Sequence, residues 1–207
     1  MSFPGILTPR LELVTLPPEF FVAILEGLRP VASSVADFQV PVEWPAETDA
    51  PWLRLRLSQL RQDPAIQPWL LRAVVPREGP RAMAGYIGFH SRPRDDGTVE
   101  FGYTVLPPYR RRGFAYEAAV GLMDWAVREH GVRRFILSVA PGNTPSRSLA
   151  QKLGFRSRGA TCTKSAGGSS CTNSSVCDSS ESHRCSRSVA RAHWRALRIL
   201  ESPIDAL

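Results

Sequence analysis

Residues 1–161 of this 207-residue chain contain no cysteine; Cys162, Cys171, Cys177 and Cys185 all fall in the last quarter. That excludes a disulfide framework for the long first part and fits an ordinary intracellular domain. No apolar run approaches the ~18 residues that a transmembrane helix needs, so no membrane contact is expected. Met1 to Arg10 lacks a basic segment followed by an apolar stretch, so no signal peptide is expected and the location should be cytoplasmic. No Cys-x-x-Cys pair exists, the cysteines being separated by eight, five and seven residues. Zinc spacing is therefore absent, and the expectation is no metal. The chain also shows no internal repeat.

What is present suits one soluble domain, with 43% hydrophobic residues and enough length for a proper core. The net charge of +7 points to an anionic partner, which need not be nucleic acid. Composition changes just after Phe155. Residues 156–207 hold 12 serines, every cysteine, eight Lys/Arg and four Asp/Glu, which is +4 (8 − 4) and leaves +3 (7 − 4) for residues 1–155. The expected division is a domain over residues 1–158 and an atypical Ser/Cys/Arg-rich tail over 159–207.

Leu11 to Val14 reads as a strand, and Pro17-Pro18-Glu19 opens a helix that Gly27 and Pro30 end. Residues 31–50 read as irregular, and Trp52 to Leu60 as a helix. A strand over Trp69 to Val75 precedes a hairpin of Ala82 to Phe89 with Val99 to Val105. Ala115, Ala118, Ala119, Leu122 and Ala126 share one face of a helix from Gly113 to Glu129, stopped by Gly131. Phe135 to Val139 is the next strand, and Thr144-Pro145 starts a helix that ends at Gly154. Strands alternating with helices imply a mixed α/β sheet covered on both faces.

Arg110-x-x-Gly113-x-Ala115 follows a strand and opens a helix. The first turn of a helix has unsatisfied N–H groups and a positive dipole end, which attract phosphate. Glycine lets the backbone come close, and arginines add charge and bonds to phosphate oxygens. Alone the pattern is weak, and a solvated basic loop explains it as well.

Its surroundings resemble the GNAT superfamily of N-acetyltransferases, in particular the branch that acetylates ribosomal-protein N-termini and similar amines. The resemblance covers roughly residues 8–155. It is carried by Thr8-Pro9-Arg10-Leu11, Glu100-Phe101-Gly102-Tyr103-Thr104-Val105, the Arg110–Ala115 loop with Glu117-Ala118, and Asn143-x-x-Ser146 leading to Lys152-Leu153-Gly154-Phe155.

The resemblance implies the GNAT fold, a central mixed twisted sheet with splayed middle strands and helices on both faces. It implies acetyl-CoA as co-substrate and direct attack of a primary amine on its thioester in a ternary complex. The amine would belong to a protein N-terminus or a small molecule. Pantetheine would pair with backbone near Tyr103, Thr104 and Val105. The pyrophosphate would rest on Arg110, Arg111, Arg112, Gly113, Phe114 and Ala115. Asn143 would bond the pantetheine and Ser146 would line its channel, although both also suit helix capping. A backbone N–H at the end of the splayed strand would stabilise the oxyanion.

Glu100 is the candidate base, with a structural carboxylate as its plain alternative and His90 as a substitute. Many members place a tyrosine four residues before the Gly-Phe glycine to protonate the leaving thiolate. That position is Ala150 here, which leaves Tyr103 and Tyr116 as donors. Residues 31–65 would wall the acceptor side, with Trp44, Trp52, Asp37, Glu43 and Glu47. The expected partners are acetyl-CoA and the amine, with no nucleic acid, and the expected state is monomer or homodimer. A non-catalytic CoA-binding protein is the rival.

The family supplies two more strands after Gly154-Phe155, and residues 160–186 show no strand pattern. Those strands are expected to be missing, the tail disordered, and the edge of Phe135–Val139 unpaired. A one-base shift of frame permits alternating apolar strands here, so the tail reads as a frameshift product. Val189 to Leu200 reads as a short basic helix.

Overall fold

The computed structural model describes residues 3–165 and 168–178. Its elements are β1 (Ile6–Leu7), β2 (Leu11–Thr15), α1 (Pro18–Leu25), α2 (Arg29–Ala36), α3 (Ala50–Gln62), β3 (Arg72–Pro76), β4 (Gly85–Phe89), β5 (Thr98–Val105), α4 (Phe114–His130), β6 (Arg134–Val139), α5 (Thr144–Lys152), β7 (Arg156–Ser165) and β8 (Gly168–Asp178). One mixed sheet runs in the order β1-β2-β3-β4-β5-β6-β8-β7. Its neighbours pair antiparallel except β5 and β6, which are parallel.

Local chemistry explains most of these elements. Pro18 and Glu19 start α1, which buries Phe20, Phe21, Ala23 and Ile24. The buried alanines and Leu122 of α4 form the expected stripe, and Gly131 closes the helix at φ 64°. Leu11, Val74, Phe89, Phe101, Leu122 and Phe135 belong to a core between the sheet and α4. A second core lies on the other side, where Phe20, Phe38, Trp44, Leu53 and Leu57 meet Ala73 and Val75. The helices thus cover both faces as expected.

Three local expectations need correction. Residues 31–50 are not wholly irregular, because Pro30 sits in the first turn of α2. A proline there loses no hydrogen bond, so it opens one helix instead of ending another. Trp69 lies in a 3-10 turn over Pro64–Trp69, ahead of β3. Trp44 is core rather than site wall, 2% exposed and stacked on Phe20.

The largest correction concerns the region after Phe155. β7 and β8 form an antiparallel hairpin, and β8 pairs with β6 from Arg134↔Asp178 to Val139↔Asn173. The edge of β6 is therefore covered. Ladder bonds come from the backbone, and residues 156–178 contain no proline to interrupt them. The open edge of β6 is a template that such a segment can take even without an alternating apolar pattern. The remaining tail expectations, including the helix over Val189 to Leu200, lie outside the described residues. Among the described residues, no helix is long and apolar enough to cross a membrane.

Arg72 fastens the N-terminal half. It is 1% exposed, donates to the carbonyl oxygens of Pro68, Leu13 and Pro4, and lies 5.0 Å from the Trp125 ring. Burial pushes its guanidinium down to about 10, still charged at neutral pH.

Candidate active site

The parallel pair at the centre of the sheet is short. β5 and β6 meet at Thr98↔Arg134, Val99↔Phe135 and Glu100↔Ile136. Beyond Glu100 the two strands part. β5 continues to Val105 against β4, and β6 continues to Val139 against β8. Among the described residues, the parting leaves one backbone edge of β5 without a strand partner from Phe101 to Val105. A cleft of about 740 Å³ opens there, lined by Tyr103, Thr104, Val105, Phe114, Asn143 and Ser146 among others.

The loop between β5 and α4 forms one end of this cleft. Pro107–Tyr109 make a 3-10 turn, and Arg111 (φ 62°) and Gly113 (φ 80°) take left-handed conformations before α4 begins. Gly113 sits at the helix N-cap position, and no side chain caps the helix. Free N–H groups and the dipole of a 17-residue helix therefore face the cleft. A Cβ on Gly113 would meet only Arg10 Nη2, at 3.4 Å, so the protein itself has room for one. The left-handed backbone angle favours glycine, and the missing side chain keeps the approach open to a ligand.

The loop arginines differ in what they do. Arg110 Nε donates to Val105 O at 2.9 Å, tying the loop to the end of β5. Arg112 lies 5.6 Å from the Tyr109 ring. A clamp reaches the loop from the N-terminal strands, where Glu117 is the hub. Its carboxylate accepts from Thr8 Oγ1, Arg10 N and Arg10 Nε, each at 2.7 Å. Arg10 also donates to Arg112 O at 3.1 Å and covers the Phe114 ring at 5.3 Å. The Thr8-Pro9-Arg10 and Glu117-Ala118 segments, which carried the resemblance, thus meet in space and brace the loop from behind.

Tyr103 and Ser146 face each other across the cleft. Burial pushes the Tyr103 phenol up, and the Ser146 hydroxyl pulls it back in part. The phenol oxygen is buried but completes no hydrogen bond among the described residues. Asn143 Oδ1 accepts from Ser146 N at 3.1 Å and so caps α5. The capping alternative holds for Asn143, while both residues also line the cleft. Ala150 is 3% exposed and belongs to the core.

Residues alternate across a strand, so Glu100, Gly102 and Thr104 point away from the α4 core that Val99 and Phe101 enter. Glu100 accepts from Ser138 Oγ at 2.6 Å and lies 3.8 Å from His90 Nδ1. Its side chain is 29% exposed. Burial lowers His90 below its ordinary value, Glu100 raises it, and Arg56 lowers it further. His90 Nε2 would stand 3.1 Å from a Cβ on Gly102, so the glycine makes space for the ring. The Trp52 and Tyr86 rings lie 5.2 Å apart, tilted by 38°, and Trp52 Nε1 donates to Asp49 Oδ1 at 3.0 Å. Of the acceptor-wall acids expected from sequence, Asp37 pairs with Arg81 and Glu43 and Glu47 are solvent exposed. Of the residues expected from sequence, Tyr103 and the loop line the cleft together, whereas Glu100 lies on the opposite face of β5 beside Ser138 and His90. Sequence reasoning did not find Ser138, Arg56 or the role of Glu117.

A profile of the acetyltransferase (GNAT) domain matches residues 10–156. YjdG of Bacillus subtilis (strain 168), an uncharacterised N-acetyltransferase, is 33% identical over 73 residues, which is 35% of this chain and 44% of that protein. YoaA of the same organism is 29% identical over 89 residues, 43% of this chain and 50% of its own length. The chain spans about half the length of the curated relatives it matches. Among solved structures, a GNAT-family acetyltransferase of Bacillus anthracis superposes with a TM-score of 0.61 at 22% identity, covering 86% of this chain and 99% of that one. The microcin C7 self-immunity acetyltransferase MccE, solved with acetyl-CoA and AMP, superposes with a TM-score of 0.57 at 14% identity over 82% of this chain and 92% of its own. At such identities these structures speak for the fold alone. With the profile spanning most of its length, over a sheet whose central parallel strands part beside an uncapped helix, the chain belongs to the GNAT acetyltransferase family.

Proposed function

We propose that this chain transfers an acetyl group from acetyl-CoA to a primary amine by direct attack in a ternary complex. The observation that carries the reading is the parting of β5 from β6 after Glu100, which opens the cleft onto the bare N-terminus of α4. A diphosphate fits the N–H groups at Gly113, Phe114 and Ala115, with charge from Arg110, Arg111 and Arg112. The pantetheine amides would add to the unpaired edge of β5 near Tyr103, Thr104 and Val105, as a strand adds to a sheet. Asn143 and Ser146 would flank that arm from α5.

In this reading the amine nitrogen attacks the thioester carbon, and a β5 backbone N–H holds the developing oxyanion. The C–S bond breaks as the tetrahedral intermediate collapses. Glu100 takes the amine proton, directly or through a water, held in place by Ser138. Tyr103 gives its proton to the leaving thiolate, replacing the tyrosine that Ala150 lacks. A thiol of pKa ~8.5 needs little such help. The products are the N-acetyl amine and free CoA.

One observation favours a second reading, that of a CoA-binding protein without turnover, because the usual acid position is a buried alanine. Thiol release from acetyl-CoA across a panel of amines separates the two. Amine-dependent release supports transfer. Tight acetyl-CoA binding with no release above the protein-free rate for any amine would overturn it.

A further inference from the structure

Among the described residues, Arg56 is a cation without an anion. It lies on α3, whose Leu53, Leu57 and Leu60 pack into the core. Its Nη1 donates to His90 O at 2.8 Å and to the side-chain oxygen of Gln59, and Gln59 Nε2 donates to the same His90 carbonyl at 3.2 Å. No carboxylate lies within ion-pair distance of Arg56, and its Nε and Nη2 bond nothing, among the described residues. Burial is deep enough to lower its guanidinium from the ordinary value. A half-buried guanidinium with two unused donors is placed to take an anionic partner.

Its place in the site suggests what the partner is. His90 lies between Arg56, which bonds its carbonyl, and Glu100, 3.8 Å from its ring nitrogen. A small molecule over Gly102 would therefore meet a carboxylate on one side of His90 and a guanidinium on the other. Trp52 and Tyr86 add aromatic surface on the same side of the sheet. Asp49 is occupied with Trp52 Nε1 and Ala46 N, so it is not free to take a second cation.

We propose that Arg56 binds a carboxylate on the acceptor, so that the acetylated amine belongs to an amino acid or a similar amino carboxylate. A single guanidinium with one free donor fork matches a monoanion better than a phosphate dianion. The fork of Nε and Nη2 can hold both carboxylate oxygens. This inference rests on the transfer reading above and narrows its acceptor. The plain alternative is that Arg56 only braces the end of β4 against α3.

The test compares amino acids with their own amides, as acceptors of acetyl-CoA, on the full chain. Each pair shares the amine and differs in the carboxylate. The wild type should favour the acids by at least about tenfold in kcat/KM, and Arg56→Gln should remove most of that ratio. Arg56→Lys, which keeps the charge but loses the fork, should retain part of it. The KM for acetyl-CoA should not move. An acid-to-amide ratio equal in wild type and Arg56→Gln would overturn the proposal, as would a fall of both acceptors by one factor. If no amine is turned over, the transfer reading fails separately, and titration of the same pairs into the CoA-bound protein decides the present point. Acid binding that is lost in Arg56→Gln supports a carboxylate site; equal binding of acid and amide overturns it.

Discussion

On the α4 side of β5, the cleft is shaped by backbone: a bare helix terminus, a left-handed glycine and an unpaired strand edge. On the α3 side, the groups we propose for the acceptor are side chains from distant segments: Glu100, His90, Ser138 and Arg56. The first arrangement suits a ligand of fixed anatomy with phosphates and amides. The second suits selection, because single side chains can change without disturbing the sheet. Binding of donor and choice of acceptor should therefore be separable by mutation.

The largest expected effect is on the donor side. Gly113→Glu puts a side chain on a backbone at φ 80°, at a cost of roughly 1–2 kcal/mol, and aims a carboxylate where phosphate would rest. Isothermal titration should show no acetyl-CoA binding, with the thermal unfolding transition retained. Wild-type affinity would refute the pyrophosphate assignment. Next comes the acceptor side. Glu100→Gln should lower kcat by ~10²-fold or more with acetyl-CoA binding unchanged, and the loss should shrink as pH rises and the amine deprotonates itself. Unaltered turnover across pH 6–9 would make Glu100 structural.

A smaller effect should follow from the clamp behind the loop. Glu117→Gln weakens the bidentate hold on Arg10, so the loop is less well ordered before binding. The KM for acetyl-CoA should rise about tenfold with kcat within twofold. An equal fall in kcat with no change in KM would mean that the clamp serves something other than donor binding. The smallest effect is electrostatic. Glu100 raises the proton affinity of His90 against the opposing effect of burial. Removing that carboxylate must lower it, so in Glu100→Gln the His90 resonance should titrate at lower pH than in wild type. An upward shift would contradict the geometry at this pair.

The same division decides how much could be read in advance. The loop and its helix were legible because Arg110-x-x-Gly113-x-Ala115 is contiguous and its chemistry is local. α1, α4, β5 and β6 followed from periodicity and punctuation. Arg56, His90, Glu100 and Ser138 are far apart in sequence; the register of β4, β5 and β6 brings the last three together, and α3 carries Arg56 to the His90 carbonyl. Pro30 misled because a proline marks either the stop of one helix or the start of the next. β7 and β8 were missed because their Ser/Thr/Cys-rich sequence has no apolar alternation, whereas the edge of β6 supplies the template. The composition still breaks at the start of β7, and we propose that the reading frame is displaced there. Sequencing of the locus checks this, and an intact frame in related strains would end the idea.

Backbone amide resonances followed during addition of acetyl-CoA test the division of labour most directly. The account predicts large shifts at Thr104, Val105 and Gly113 to Tyr116, with Arg56, Gln59 and His90 nearly still until an acceptor is added. Large shifts confined to Arg56 and His90, with the loop amides unmoved, would contradict it.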